Sequence, residues 1–349
     1  MRNYNKGEWS ELYAIYLIMN DKTISVADDN LAPTAQCVRV LKLLMKSTQG
    51  EAEYDITGTN VEIKVGGQML NRLVVNRANA TRLLNAIRSG TGAFRIPLGN
   101  TIMNNLLLDT FKANSWQKTD LNTVSILPTE TAGREVGYSV KSQIGSPSTL
   151  LNASQSTNFT YEIQGFTGNI NAINGINSGS KVMDRIQAIK NAGGRFIYAD
   201  THNQAFKQNL RLTDTLLPDT LAYMVLDYFS TSGTAILANV ANRVVTQLPF
   251  QPTPLEVTRN VKEFLSNIAL GMVPTEPWDG TALGGGCIFV KNSGDLVVFT
   301  LYDMDRFREY LIHNVKFETA STSRHRFGSI YVENGRQYFA LNTQIRFLN

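Results

Sequence analysis

The sequence predicts a mixed α/β protein in which helices and strand hairpins share a central sheet. Three observations carry that reading. Some stretches repeat apolar residues every three or four positions, and others alternate apolar with polar residues. The two kinds are interleaved along the chain, with no internal repeat and no low-complexity linker. A helix-then-hairpin order near residues 100–143 sets an acidic strand beside a lysine-bearing one.

The elements follow in order. GEWSELYAIYLIM repeats Trp9, Leu12, Tyr13, Tyr16 and Leu17 at helical spacing, with Asn5 or Gly7 to cap it. Glu8 and Glu11 then fall on neighbouring turns of one face. Residues 36–47 (QCVRVLKLLMKS) read as a second helix, and 54–65 as a strand pair around Gly58. A helix is expected over 76–90, ended by Gly90 and Gly92, and another over 100–113. TDLNTVSI (119–126) and VGYSVKSQ (136–143) alternate as strands about the turn-like PTETAGRE. Beyond them lie a polar stretch and the strand NFTYEI, then the helix SKVMDRIQAIKNAG and the core strand RFIYAD. Pro218 breaks the helical segment that follows. The last third turns to hairpins, one at Asn292-Ser293-Gly294 and one at Asn334-Gly335. A boundary is placed at FQPTP, dividing residues 1–250 from a C-terminal hairpin region, 251–349.

The hairpin over 119–143 carries the chemistry. With its turn centred at residues 130–131, Asp120 lies opposite Lys141, and Ser139 shares the lysine's face. An acid facing a lysine across two strands is the smallest arrangement that cuts a phosphodiester with a divalent metal. A carboxylate oxygen binds Mg²⁺, which keeps several waters. The ammonium orients or deprotonates a water, or neutralises charge growing on the phosphate. The usual acid two residues before such a lysine is replaced by Ser139, so either a second carboxylate comes from elsewhere or one metal is held by Asp120, a backbone carbonyl and waters. Glu8, Glu11, Glu135 and Glu162 are the candidates, and Gln143 is placed to hold a water or a phosphate.

Composition bounds the remaining readings. A chain of 349 residues supports one large core or two modest ones, and 43% hydrophobic with 18% charged residues is ordinary for a folded protein. A net charge of +4 favours an anionic partner only if gathered on one face. Cys37 and Cys287 are too few for a disulfide framework, and His202, His313 and His325 have no metal-ligand spacing. No leader or apolar span is apparent, so the expected setting is the reducing cytoplasm, away from membranes. Gly284, Gly285 and Gly286 lack the lysine of a phosphate loop, and Trp9 and Trp278 read as core.

Several blocks resemble the HpaII family of restriction endonucleases. They are KGEWSELY at 6–13, GYSVKSQIGSPSTLLNASQSTNFTYEI at 137–163, ALGMVP at 269–274, and FETASTSRHRFGSIY with LNTQIRF at the end. The resemblance runs from the fifth residue to the C-terminus. It implies the PD-(D/E)xK nuclease core, a mixed sheet with helices on both faces, and Mg²⁺ as cofactor. It implies double-strand cleavage of unmethylated double-stranded DNA at a short palindrome, CCGG for the family's namesake. A homodimer and a cognate DNA methyltransferase in the same cell follow from that implication. Asp120 and Lys141 match the acid and lysine of the nuclease pattern, and Ser139 departs from it. Related enzymes with serine there take a carboxylate from a following helix. Glu162 lies at a suitable distance but reads as strand, which leaves Glu11 and Glu8 at least equal to it. A catalytically decayed or modification-dependent DNA-binding relative is the alternative.

Reading a sequence requires donors that reach guanine O6 and N7, which arginine does best. Arg324, His325 and Arg326, with Gln344 and Arg346, form the densest polar group outside the catalytic hairpin. Their other readings are phosphate contacts, which position without specifying, or a solvated face.

Overall fold

The structure, a computed structural model, describes residues 2–108, 119–281, 284–319 and 327–348. Helix α1 (Lys6–Asp21) opens with a capping box, in which the Asn5 side chain accepts from the Glu8 amide and Glu8 reciprocates at the Asn5 amide. It ends at Lys22, which is left-handed with φ 61°. Trp9 and Leu12 through Met19 are all buried, so the helix is enclosed on every side rather than laid on a surface.

What encloses it is a sheet that closes on itself. Strands β1 (Thr23–Ala27), β2 (Pro33–Ser47), β3 (Gly50–Asp55), β4 (Val61–Val65) and β5 (Gln68–Leu73) come first. Helices α2 (Arg77–Ser89) and α3 (Pro97–Asn105) follow, then β6 (Leu121–Ile126) and β7 (Arg134–Ser142). After β8 (Thr149–Leu151) and β9 (Asn158–Gln164) come α4 (Ile170–Asn174), α5 (Lys181–Asn191) and β10 (Arg195–Thr201). Helices α6 (Gln204–Thr213), α7 (Leu217–Ser230), α8 (Leu237–Val244) and α9 (Pro254–Ala269) lead to β11 (Gly286–Val290) and β12 (Leu296–Thr300). Helix α10 (Met304–Asn314), β13 (Val315–Phe317), β14 (Ile330–Glu333), β15 (Arg336–Asn342) and β16 (Ile345–Phe347) complete the fold.

The nine-stranded sheet has the order β1-β12-β11-β7-β6-β2-β3-β4-β5, and β1 also pairs with β2. That extra pairing closes six strands into a barrel, with β3 to β5 as an extension. The expected mixed sheet is present, but it is curled rather than open. Inside, Ile24, Val38, Val40, Tyr138, Ile288 and Val298 meet α1 in one core. Outside, Cys287, Phe289, Val297 and Phe299 meet α9 and α10 in a second core. Strands β10-β9-β15-β14 form a four-stranded sheet, and β13-β16-β8 a three-stranded one.

The helix expected over 36–47 is strand β2. Val38 and Val40 alternate as a strand should, but a register shift between Val40 and Lys42 delays the next buried residue to Leu43. A bulge inside a strand thus reproduces the three-residue spacing of a helix. The boundary near residue 250 does not separate sheets, because β11 and β12 lie in the barrel between β7 and β1. RFIYAD is an edge strand with alternating burial, not a central one. Pro218 starts α7 in its first turn instead of breaking a helix. Both late hairpins turn where the sequence places them, Asn334 and Gly335 having φ of 51° and 75°. The last residues expected in the helix over 100–113 fall outside the described residues beyond 108.

Candidate active site

The hairpin β6–β7 forms as expected, but its register is slipped. Leu121 pairs with Tyr138, so Asp120 ends the ladder beside Ser139 and Val140 rather than across from Lys141. The Asp120 amide donates to the Tyr138 carbonyl at 2.9 Å. Its carboxylate Oδ2 then accepts from the Val140 amide at 2.7 Å, replacing a ladder bond with a side-chain one. The short distance is that of a charge-assisted bond. It fixes the acid's position and leaves Oδ1 without a partner among the described residues.

Along β7 the alternation is clean. Val136, Tyr138, Val140 and Ser142 are buried, whereas Ser139 and Lys141 are half-exposed on the opposite face. Gln143, also half-exposed, continues past the strand, its amide donating to the Val290 carbonyl. The parallel neighbour β11 sets Cys287 beside Ser139 and Phe289 beside Lys141. Burial pushes the Cys287 thiol up to about 12, with Lys141 pulling it down and Asp120 pushing it further up. The thiol feels both charges, so acid and lysine share one neighbourhood of the sheet. The Lys141 ammonium makes no hydrogen bond or ion pair with a described residue.

Lys141 opens onto a cleft of about 1030 Å³, walled by Glu8 and Glu11 and by Ser146, Pro147 and Asn152. Asp120 lies outside that wall. A buried latch holds the two sides in register. Ser142 Oγ bonds Ser10 Oγ at 2.9 Å and accepts from the Ile144 amide, while Ser10 Oγ donates to the Lys6 carbonyl. Ser10 sits between Glu8 and Glu11, and Ser142 follows Lys141, so the latch sets how the acids of α1 face the lysine. Sequence reading missed it. Its only trace was a serine at each of two positions that otherwise read as apolar.

The other expected residues are scattered. Glu135 is exposed toward the hairpin tip, opposite Val124. Glu162 lies on β9 in the four-stranded sheet, paired with Arg336 at 3.4 Å, and does not line the Lys141 cleft. Gln344 and Arg346 are both engaged by Glu318, at 2.7 and 2.9 Å. Arg324, His325 and Arg326 lie outside the described residues.

Among the described residues no group of three or more His, Cys, Asp or Glu side chains is placed to hold a metal. Mg²⁺ is commonly bound by one or two carboxylates, with waters and substrate phosphate completing its shell. Asp120, with one oxygen anchored and the other without a partner among the described residues, fits such a hydrated ion. Among the described residues no helix is long and apolar enough to cross a membrane.

A mixed α/β barrel bearing an anchored acid and a half-exposed lysine on adjoining strands is thus the class of protein that fold and site define. The family model for the HpaII restriction endonuclease matches residues 5–347. The chain is also similar to the type II restriction enzyme HpaII of Haemophilus parainfluenzae. The two are 34% identical over 361 residues, covering 99% of this chain and 98% of the relative. No solved structure matches it. The chain belongs to the HpaII restriction endonuclease family.

Proposed function

We propose that this protein is a type II restriction endonuclease with a PD-(D/E)xK-type site, making Mg²⁺-dependent double-strand cuts in unmethylated DNA at a short palindrome. The observation that carries the reading is an Asp120 carboxylate clamped by the Val140 amide close to Lys141 on the adjoining strand, a lysine with no partner among the described residues. Asp120 would hold Mg²⁺, which would supply Lewis acidity and a water of lowered pKa. The Lys141 ammonium meets the charge that develops on the scissile phosphate. Gln143, two residues on, positions that phosphate or the attacking water. Glu11 and Glu8 offer the second carboxylate across the cleft, although Glu8 already serves the helix cap. A palindrome presents the same face twice, which favours a two-fold homodimer. CCGG, the site implied by resemblance to the namesake, is the first sequence to test.

The lack of a second acid at Ser139, and of a three-ligand cluster among the described residues, favours a second reading. In it the chain binds DNA without cutting. Lys141→Ala separates the two. If the site is active, wild type cuts a plasmid and the variant loses about 100- to 1000-fold in rate while still shifting DNA in a gel. Retained shift with no cutting by wild type in Mg²⁺ or Mn²⁺ leaves the decayed reading. Undiminished cutting by Lys141→Ala removes the lysine from the mechanism.

A further inference from the structure

The four-stranded sheet packs its apolar side on helices, and among the described residues its other side borders a groove. Phe159, Tyr161, Ile163, Phe196, Phe339 and Leu341 are buried in the core that holds α5 and α7. The alternate residues line a groove of about 790 Å³ that includes Gln155, Glu162, Asp200, Glu333, Arg336 and Tyr338, with Glu333 opposite Arg336 across the β14–β15 ladder. Glu162 pairs with Tyr338 across the β9–β15 ladder, so Arg336 lies two residues along β15 on the same face. Their charged groups meet at 3.4 Å, with the Arg336 side chain 65% exposed and that of Glu162 23% exposed. Asp200 is neutralised by Lys207 at 2.7 Å.

Building on the proposed DNA cleavage, we infer that Arg336 and Glu162 read one G·C base pair of the recognition sequence. The guanidinium donates two parallel bonds to guanine O6 and N7, and the carboxylate accepts from the N4 amino group of the paired cytosine. A surface that gripped only phosphates would carry cations alone, since a carboxylate there repels the backbone. A pair of opposite sign matches instead the acceptors of guanine and the donor of cytosine. Arg336 follows the Asn334-Gly335 turn, so it stands at the tip of the β14–β15 hairpin, a two-stranded ribbon at the sheet's edge. The major groove admits a ribbon of that width. Opening an ion pair this exposed costs little, so base edges can replace each partner. The groove also adjoins the cleft of Lys141. Asn152 lines the cleft and Gln155 the groove, with only residues 153 and 154 between them.

The test selects binding sites from a randomised duplex library with the full-length chain in Ca²⁺, so that it reads recognition rather than cutting. Wild type should enrich one motif containing G·C pairs. Arg336→Ala should lower preference at one symmetry-related G·C position by about 10- to 100-fold and leave the other positions unchanged. Glu162→Ala should relax the same position. Arg336→Lys should not restore it, because a lysine keeps the charge and loses the two-bond geometry. An unchanged motif in both alanine variants overturns the inference, as does a wild-type chain that enriches no motif. So does a uniform loss of binding that Arg336→Lys rescues, which marks a phosphate contact. Plasmid cleavage by wild type, measured separately, decides the nuclease reading whatever the selection shows.

Discussion

Asp120 has two jobs that different substitutions take apart. Its carboxylate carries the charge proposed for the metal, and one oxygen accepts from the Val140 amide at 2.7 Å. Val140 is only 8% exposed, so water cannot readily take over that amide. Asp120→Ala leaves the donor unsatisfied, at a cost of about 1–3 kcal/mol. Asp120→Asn keeps a carbonyl acceptor at the same reach and removes only the charge assistance, so its cost is about 1 kcal/mol or less. Both remove the negative charge, and both should abolish cleavage. Urea unfolding read by circular dichroism gives the stabilities, and cutting of a supercoiled plasmid in Mg²⁺ gives the rates. The expected pattern is a folded, DNA-binding, inactive Asn variant and a less stable, equally inactive Ala variant. Cleavage by Asp120→Asn at the wild-type rate would refute the catalytic argument. Equal destabilisation by Asn and Ala would refute the hydrogen-bond argument.

Other parts of the structure make equally direct predictions. Ser142→Ala breaks the buried latch to Ser10 and strips the Ile144 amide of its acceptor, which should cost about 1–3 kcal/mol in urea unfolding. It should also raise the Mg²⁺ concentration needed for half-maximal cutting, and an unchanged requirement would make the latch purely structural. Asp227 is buried and holds Arg243 through two bonds at 2.9 and 2.6 Å, with Gln247 at 3.1 Å. Asp227→Ala should destabilise by about 2 kcal/mol, less than for a fully buried pair because Arg243 is 31% exposed. Thiol labelling at pH 8 should modify exposed Cys37 in the native chain and reach Cys287 only after unfolding. Burial raises the Cys287 thiol, so its contribution is intact below its unfolded pKa near 9. That contribution is lost as pH climbs toward about 12. A Cys287→Ala variant should therefore lose less stability than wild type over that alkaline range.

Local signals in the sequence located most elements, and long-range pairing decided the rest. The α1 cap, the glycines after α2 and the Asn334-Gly335 turn act within a few residues, so they are visible in the chain. The β2 bulge is not, because its apolar spacing fits a helix until three strands, β1, β3 and β6, are found to pair with it. Closure of the barrel depends on β1 meeting both β2 and β12, residues far apart in sequence. At the site, residue types pointed to Asp120 and Lys141, and the structure brings them to one neighbourhood. A two-residue slip in register changed which group the acid touches, because a turn's centre is poorly marked in PTETAGRE. Glu162 looked like a spare acid by spacing alone. The fold places it on another sheet beside Arg336, a partner 174 residues away.

Cutting of DNA at a defined palindrome through the Asp120–Lys141 hairpin is the proposed activity. The most direct measurement is digestion of fully unmethylated plasmid by the purified chain in Mg²⁺, with sequencing of every fragment end. We expect discrete fragments whose ends share one short palindrome, and no fragments from Asp120→Asn under the same conditions. Intact plasmid with wild type, or the same fragments with Asp120→Asn, would contradict it.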